Sequence, residues 1–433
     1  ASGRLETSAR LESIRGGPRE RLAQAVAAFE DLVAANLLPT FLRFISLVAS
    51  GIASFNILRK MVAKLPAEEG APRWDDLTLE LTRGLAYNPT TEMDLALWQA
   101  ARAIRQDPPL LAAFRAGDGE SLARDYQAGR LPGAGQALID GFLQVYGLRG
   151  LAEIDLGRPR WAEQPQHIFD VLRSYLQIEH PDQAPDVVFA RGAQAAEAAR
   201  ERIVAALRRQ PGGWIKARQA RFLAGRIREL MGGRESPKFF AVRMMGQLRA
   251  PLLEAGAELA RAGDFDHPDD VMFLSLGELK AFAADPSRDW KPLIRGRRAA
   301  YEREMLRRQL PRLFLSDGRA FYEGIANPDP SGASLSGSPV SPGTAEGRVR
   351  VVLDPRSAGM LPGEILVCPG TDPSWTPLFL SAAGLIMETG GMMTHGAVVA
   401  REYGIPAIVG LDQATRRLVT GQHPYSTPGV ADA

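Results

Sequence analysis

The sequence predicts a mainly α domain followed by a small α/β domain. Three observations carry this prediction. Apolar residues recur at helical spacing through most of residues 1–315, which is the period of amphipathic helices. Proline, glycine and serine dominate residues 316–337 without a period, as in a linker. From residue 338 onward, short apolar runs alternate with glycine-rich turns, a pattern typical of strands packed around a helix.

The composition bounds the class of protein. A chain of 433 residues is long enough for two or three domains with a large core. Its 52 basic and 50 acidic side chains nearly balance, so no global basic field points to nucleic acid. The single cysteine, Cys368, excludes an internal disulfide framework, indicates a reducing, cytoplasmic environment, and lies where a buried structural role is expected. No signal peptide is evident near the start.

The helical part contains one notable capping pattern. Thr91 with Asp94 three residues later fits a capping box, and capping is the alternative to a functional role for Thr90, Thr91 and Glu92. The apolar face of the same helix is then expected at helical spacing. That face comprises Met93, Leu97, Ala101 and Ile104.

A long apolar stretch, Phe41 to Leu58, approaches the length of about 20 residues that a membrane span requires. Arg43, Gly51 and Asn56 interrupt it, together with several serines. We therefore expect a helix that is buried on most sides, and no membrane.

Candidate ligand-binding residues lie in two segments. Residues 145–165 are charged, aromatic and non-periodic, which fits a binding loop that uses Arg149 and Glu153 or, equally, a salt-bridged connector. Downstream, Lys238 and Arg243 could clamp a phosphate or an anionic acceptor, although a solvated helix face fits the same spacing. Met244 is one of several apolar residues that could line a ligand site or belong to plain core.

The α/β domain is organised around residues 384–410. A short apolar run ends at Met387, two glycines break it, a helix begins near His395 and ends at Gly404, and a second apolar run follows. Strand, glycine loop, helix and strand in this order place a loop and a helix N-terminus at the edge of a sheet.

His395 stands at that N-terminus, where free N–H groups and the helix dipole attract anions such as phosphate. Thr394 can cap the helix and offer a hydroxyl. Gly390, Gly391 and Gly396 lack the side chains that would block a substrate. Imidazole has an unperturbed pKa of about 6.5, so its neutral form can attack phosphorus near neutral pH. The alternatives are a helix-capping or buried structural histidine.

The string from Gly390 to Ala407, GGMMTHGAVVAREYGIPA, closely resembles the phosphohistidine signature of phosphoenolpyruvate-utilising enzymes. This family includes phosphoenolpyruvate synthase, pyruvate phosphate dikinase and rifampin phosphotransferase. In the first two a barrel follows the histidine domain, whereas here 38 residues follow His395. A helical domain before the histidine domain matches the rifampin phosphotransferase-like branch. Segments 88–98, 146–161 and 234–243 also resemble that branch.

The resemblance implies three parts: a helical acceptor (antibiotic)-binding domain over residues 1–315, a flexible linker over 316–337 and a mobile, swivelling phosphohistidine domain over 338–433. It implies a dikinase-type phosphotransferase, in which ATP charges His395 and the phosphoryl group passes to a hydroxyl of a rifamycin-like acceptor. Gly390, Gly391 and Gly396 would form the phosphate loop beside Thr394. ATP and Mg²⁺ are expected at an ATP-grasp domain, supplied by the same or a separate chain, because no such domain is evident in this sequence.

Two alternatives remain open. The chain could serve a phosphoenolpyruvate synthase-like dikinase with another acceptor, or it could be a non-catalytic phosphocarrier or ligand-binding module. No metal site is expected, because the other histidines are scattered without ligand spacing. The tail after Gln422 has little apolar surface, so the last strand of the domain is expected to be lost or altered.

Overall fold

The computed structural model describes most of the chain. The described residues are 16–34, 38–67, 72–285, 287–307, 311, 313–321, 335–355, 360–371, 375–379, 381–391, 394–411 and 413–423. Within them the mainly α fold class with a following α/β region is confirmed.

The chain divides into two compact units. The first comprises residues 1–44, 146–163 and 237–310, and the second comprises residues 45–145, 164–236 and 311–433. This division differs from the predicted domain boundaries. The reason is that helices of the second unit pack against the α/β region, so residues 45–145 and 164–236 group with it.

Thirteen numbered α-helices precede the α/β region in the described part of the chain. Their bounds are α1 Pro18–Leu32, α2 Leu38–Val62, α3 Trp74–Glu80, α4 Pro89–Gln106, α5 Pro108–Ala116, α6 Gly119–Gln127, α7 Gly135–Tyr146, α8 Gln166–Tyr175, α9 Pro185–Arg208, α10 Gly213–Leu230, α11 Ser236–Ala262, α12 Leu276–Ala284 and α13 Lys291–Met305. Single 3-10 turns lie at Pro181–Gln183, Gly232–Glu235 and Pro268–Phe273.

The α/β region is a five-stranded sheet with flanking helices. Its elements are β3 Ser338–Ser341, β4 Val349–Val351, β5 Glu364–Cys368, α14 Thr376–Phe379, β6 Ala382–Met387, α15 His395–Tyr403, β7 Ala407–Val409 and α16 Ala414–Arg417. The strand order is β3-β7-β6-β5-β4, with β3 antiparallel to β7 and the other pairs parallel. The predicted strand, loop, helix and strand around His395 are therefore confirmed.

The sheet buries both of its faces, as a mostly parallel sheet requires. Along β5, Leu366 and Cys368 join one apolar cluster with residues of α14 and α15, while Ile365 and Val367 join a second cluster with residues of α16. Alternation with period two produces this division. Cys368 is fully buried, which confirms its predicted structural role, and burial raises the pKa of its thiol.

Each unit has an apolar core in its helical part. In the first unit, Leu22 and Val26 of α1 pack with residues of α11, α12 and α13. In the second, Leu58 of α2 packs with residues of α9 and α10. The predicted apolar face of α4 is also confirmed, because all four of its members are buried.

The helix α2 departs from its predicted burial. Phe41, Leu42, Ile45 and Leu47 are between 42% and 59% exposed. By length and composition alone, Phe41–Val62 is the one helix of the described residues that could cross a membrane, and 22% of its most apolar window is buried. The prediction of a helix buried on most sides is therefore wrong, because only its C-terminal half packs into a described core.

A hairpin spans the start of the predicted linker, residues 316–337. Strands β1 Leu313–Phe314 and β2 Ala320–Phe321 pair antiparallel. Residues 322–334 of the predicted linker lie outside the described residues. Near the tail, the Gly421 N–H donates to the Val349 carbonyl of β4, and the Val349 N–H donates to the Gln422 carbonyl. The predicted loss or alteration of the last strand concerns residues that, after 423, lie outside the described residues.

Candidate functional site

His395 is the first residue of α15 and follows the loop that leaves β6. Thr394 occupies the N-cap position, as predicted, but its hydroxyl does not bond to the helix. It donates to the Gly391 carbonyl at 2.7 Å and accepts from the Gly391 N–H at 3.3 Å. The predicted capping hydrogen bond is therefore wrong, because the hydroxyl closes the preceding loop instead.

The three glycines of the predicted phosphate loop have different roles. Gly390 has φ of 147°, a conformation that favours glycine, and at Gly391 an added Cβ would meet open space. At Gly396 an added Cβ would lie 2.3 Å from Thr371 Oγ1 and 2.6 Å from Met387 Sδ. Gly396 thus permits close packing of α15 on the end of β6, and its part in a phosphate loop stays a prediction.

A carboxylate faces the imidazole. Glu235, at the end of the 3-10 turn Gly232–Glu235, places Oε2 3.5 Å from His395 Nδ1, and the His395 side chain is only 10% exposed. A carboxylate beside Nδ1 favours the proton on that nitrogen and leaves Nε2 as the nucleophilic atom. Glu235 was missed from the sequence because it is far from His395 along the chain.

One arginine pairs with Glu235, and a second arginine interacts electrostatically with the first. Arg234 forms an ion pair with Glu235 at 2.9 Å, and Arg401 of α15 donates to the Val340 carbonyl at 2.7 Å. Burial lowers the pKa of Arg401 to about 10, and Arg234 acts in the same direction. A guanidinium group paired with the carboxylate that faces the histidine, as Arg234 is, is suited to neutralising phosphate charge.

The other end of α15 carries a buried polar network. Glu402 accepts from Asn88 Nδ2 at 2.8 and 3.0 Å and from the Thr91 hydroxyl. Tyr403 donates its hydroxyl to Asp94 at 2.8 Å. Burial raises the pKa of Glu402 to about 7, although the hydrogen bonds from Thr91 and Asn88 act in the opposite direction.

This network corrects the predicted capping box. Asn88 is the N-cap of α4, and its side chain accepts from the Thr90 N–H. Thr91 and Asp94 instead bond to residues of α15. Their spacing fits a local cap, but partners distant in sequence take both side chains.

Three of the predicted acceptor-binding residues form one cluster in the first unit. Arg149 and Glu153 are fully buried and joined by two hydrogen bonds of 3.0 Å, and Lys238 lies 3.2 Å from Glu153. Burial acts to raise the pKa of Glu153, but Arg149 and Lys238 outweigh it and lower the pKa. Of the two alternatives for this segment, the geometry favours the salt-bridged connector.

The remaining two predicted acceptor residues have ordinary packing roles. The Arg243 guanidinium lies 5.4 Å from the centre of the Phe239 ring. Met244 is partly buried against the apolar core of the first unit. Their role toward an acceptor stays a prediction.

A matched pair of glycines tests how the Glu235 turn is placed. At Gly232 an added Cβ would lie 1.9 Å from the Ala86 carbonyl oxygen, whereas at Gly233 it would meet nothing within 4 Å. Because a backbone atom must move, we expect Gly232→Ala to lower the free energy of unfolding by roughly 2 kcal/mol or more. Gly233→Ala is the control and should unfold within about 0.5 kcal/mol of the parent chain. Urea denaturation measures both, and equal midpoints would contradict the placement of the turn.

Comparison with known proteins adds two family matches. A family model described as the rifampicin phosphotransferase fourth domain matches residues 43–235, and one described as the mobile domain of PEP-utilising enzymes matches residues 360–425. The first therefore covers α4 and Glu235, and the second covers the His395 helix.

Individual relatives agree with these matches. The chain is 38% identical over 344 residues to a rifampicin phosphotransferase of Streptomyces sviceus, and 34% identical over 359 residues to one of Bacillus subtilis. Each alignment covers 79% of this chain and 39% of the relative. It is also 32% identical over 333 residues to an uncharacterised protein of Mycobacterium tuberculosis, covering 75% of this chain and 34% of that protein. The chain thus spans well under half the length of these relatives.

Proposed function

Because the chain is a rifampicin phosphotransferase-like protein, with a region similar to the fourth domain of that enzyme and a PEP-utilising mobile domain, we propose that it transfers a phosphoryl group through His395. The acceptor is a hydroxyl of a rifamycin-like molecule. One observation carries the proposal. The imidazole stands at the N-terminus of α15 with Nδ1 facing Glu235, which leaves Nε2 as the atom that carries the phosphoryl group.

The proposed reaction balances in three steps. Nε2 of His395 attacks the β-phosphorus of ATP, taking the pyrophosphoryl group and releasing AMP. Water then removes the terminal group as inorganic phosphate and leaves a phosphohistidine. Finally the acceptor oxygen attacks, the P–N bond breaks, a P–O bond forms, and the hydroxyl proton passes to solvent. Positioning and charge neutralisation supply most of the catalysis in such transfers.

The residues of this chain have distinct parts in these steps. Glu235 would hold Nδ1 and orient the phosphorylated ring toward the acceptor while the P–N bond breaks. Arg234, paired with Glu235, would offset the negative charge of the phosphoryl group. The low exposure of His395 would keep water from the phosphohistidine while α15 occupies this position.

ATP and Mg²⁺ belong to the charging step in this proposal. Within the described ranges, no group of three or more His, Cys, Asp and Glu side chains is placed to hold a metal ion. We assign ATP and Mg²⁺ to an ATP-grasp domain that acts on this chain.

The proposal is tested by supplying an ATP-grasp domain in trans with β-labelled ATP and Mg²⁺, and then adding rifampicin. Acid-labile label that appears on the chain and moves to rifampicin would support it. Label that forms and stays on the chain would keep the phosphohistidine and overturn the rifamycin acceptor. A folded chain that takes no label from a competent partner would instead favour a ligand-binding module.

The role of Glu235 gives a separate prediction. We expect Glu235→Ala to slow transfer of label from the charged chain to rifampicin on the order of 100-fold, because the imidazole loses its orientation. Glu235→Gln keeps an acceptor for the Nδ1 proton and should lose less. Glu229→Gln removes an exposed carboxylate on α10 and serves as the control. Equal rates of transfer to rifampicin for Glu235→Ala and the control would contradict this role.

A further inference from the structure

The C-terminal end of α15 is held by polar groups from the fourth-domain region. Glu402 is fully buried, and its donors Asn88 and Thr91 both come from the start of α4. Tyr403, the next residue, donates to Asp94 one turn further along α4. Two successive residues of the histidine helix thus bond to one face of a helix outside the mobile domain.

Close backbone approach accompanies these hydrogen bonds. An added Cβ at Gly192 of α9 would lie 3.2 Å from the Glu402 carbonyl oxygen. At Gly404, the C-cap of α15 with φ of 68°, an added Cβ would lie 2.3 Å from Arg83 Nη2. A guanidinium at that position also complements the negative end of the helix dipole. Gly192, Gly404 and Arg83 therefore allow a close approach to the C-terminal end of α15.

Several buried polar side chains take part in this contact. Val188 of α9 is partly buried against the apolar cluster of the α/β region, whereas Asn88, Thr91 and Asp94 contribute polar groups. Interfaces between domains that move are more polar than permanent interfaces. A buried carboxylate that loses its donors is costly, so these groups favour a single seating of α15.

We propose that Asn88, Thr91 and Asp94 are a docking site for the Glu402–Tyr403 end of the histidine helix, which positions the mobile domain for transfer to the acceptor. This inference rests on the proposed function above and adds the surface on which the mobile domain docks. Glu402 lies seven residues after His395, about 10 Å along the helix axis. Glu235 at one end and α4 at the other then fix the direction of α15. These are positioning residues, since they act through the placement of His395.

Two near-isosteric variants remove one hydroxyl from each side of the contact. Thr91→Val removes a donor to Glu402, and Tyr403→Phe removes the donor to Asp94. Thr78→Val is a matched control, because the buried Thr78 hydroxyl donates to the Trp74 carbonyl within α3. Tyr126→Phe is the second control, because the Tyr126 hydroxyl of α6 donates to Asp140 of α7 at 2.6 Å, the same kind of bond outside this contact.

Each variant is measured in two half-reactions and by hydrogen exchange. We expect Thr91→Val and Tyr403→Phe to be charged from β-labelled ATP at the parental rate, and to transfer label to rifampicin about tenfold more slowly or worse. Amide exchange should rise by a similar factor at both surfaces of the contact together, residues 83–106 and 395–411. The two controls should match the parent chain in all three measurements.

The outcomes separate this inference from the proposed function. Charged variants that transfer label at the parental rate would overturn the docking site and leave the phosphohistidine intact. Controls that slow transfer as much as the variants would also overturn it. If the parent chain takes no label, the proposed function fails, and hydrogen exchange alone decides. Unchanged exchange at either surface would then exclude the docking site.

Discussion

His395→Gln is expected to take no acid-labile label from β-labelled ATP, whereas the parent chain is labelled. Glutamine preserves much of the length and polarity of the side chain but has no ring nitrogen that can attack phosphorus. Removing the nucleophile of a covalent mechanism lowers the rate on the order of a thousandfold or more. The label on the chain should therefore fall to background, and no phosphoryl group should reach rifampicin.

The control for this prediction is His180→Gln. His180 is exposed and precedes the 3-10 turn Pro181–Gln183, outside the α/β region. It should be labelled like the parent chain. His395→Gln should also unfold within about 1 kcal/mol of the parent chain in urea, because it replaces one polar side chain at a helix N-terminus. Acid-labile label on folded His395→Gln would show that another residue carries the phosphoryl group.

The sequence predicts the elements around His395 because the signals there are local. The apolar run of β6, the glycines of the loop and the helix stop at Gly404 each act within a few residues. The left-handed φ of 68° at Gly404 is the ordinary conformation of a C-cap glycine. Strand, loop and helix could therefore be placed without knowledge of the rest of the fold.

The partners of α15 could not be predicted in the same way. Glu402 and Tyr403 bond to residues 309 to 314 positions earlier in the chain. No period or motif connects positions so far apart, and the local spacing of Thr91 and Asp94 favours a cap instead. The same holds for α2, whose apolar composition predicts burial but does not specify a neighbour to cover Phe41 and Leu42.

Arg149→Met is expected to cause the largest loss of stability among these variants. It would leave the carboxylate of Glu153 buried without its bidentate partner, while Lys238 stays 3.2 Å away. Breaking a buried ion pair from one side typically costs about 3–5 kcal/mol. Lys238→Met should cost less, about 1 kcal/mol, because that side chain is 32% exposed and its ion pair is screened by water.

The double variant Arg149→Met, Glu153→Met tests whether the lost stability comes from leaving one buried charge without its partner. Two apolar side chains of similar volume should restore most of the stability lost in Arg149→Met, because neither member of the buried pair is then left without the other. The pKa of Glu153 is lowered in the folded chain, so its contribution is present above the ordinary glutamate pKa and is lost as pH falls through the lowered value. The stability of the parent chain relative to the double variant should therefore shrink at acidic pH.

Urea denaturation at neutral and acidic pH measures these effects, and the transfer assay with rifampicin decides between the two roles of the segment. A structural pair predicts that Arg149→Met loses stability and that the double variant regains both stability and transfer. An acceptor-binding pair predicts the opposite: near-parental unfolding of Arg149→Met, with transfer lost in both variants. Because Arg149 and Glu153 satisfy each other through two hydrogen bonds while fully buried, neither needs a ligand, and we expect the structural result.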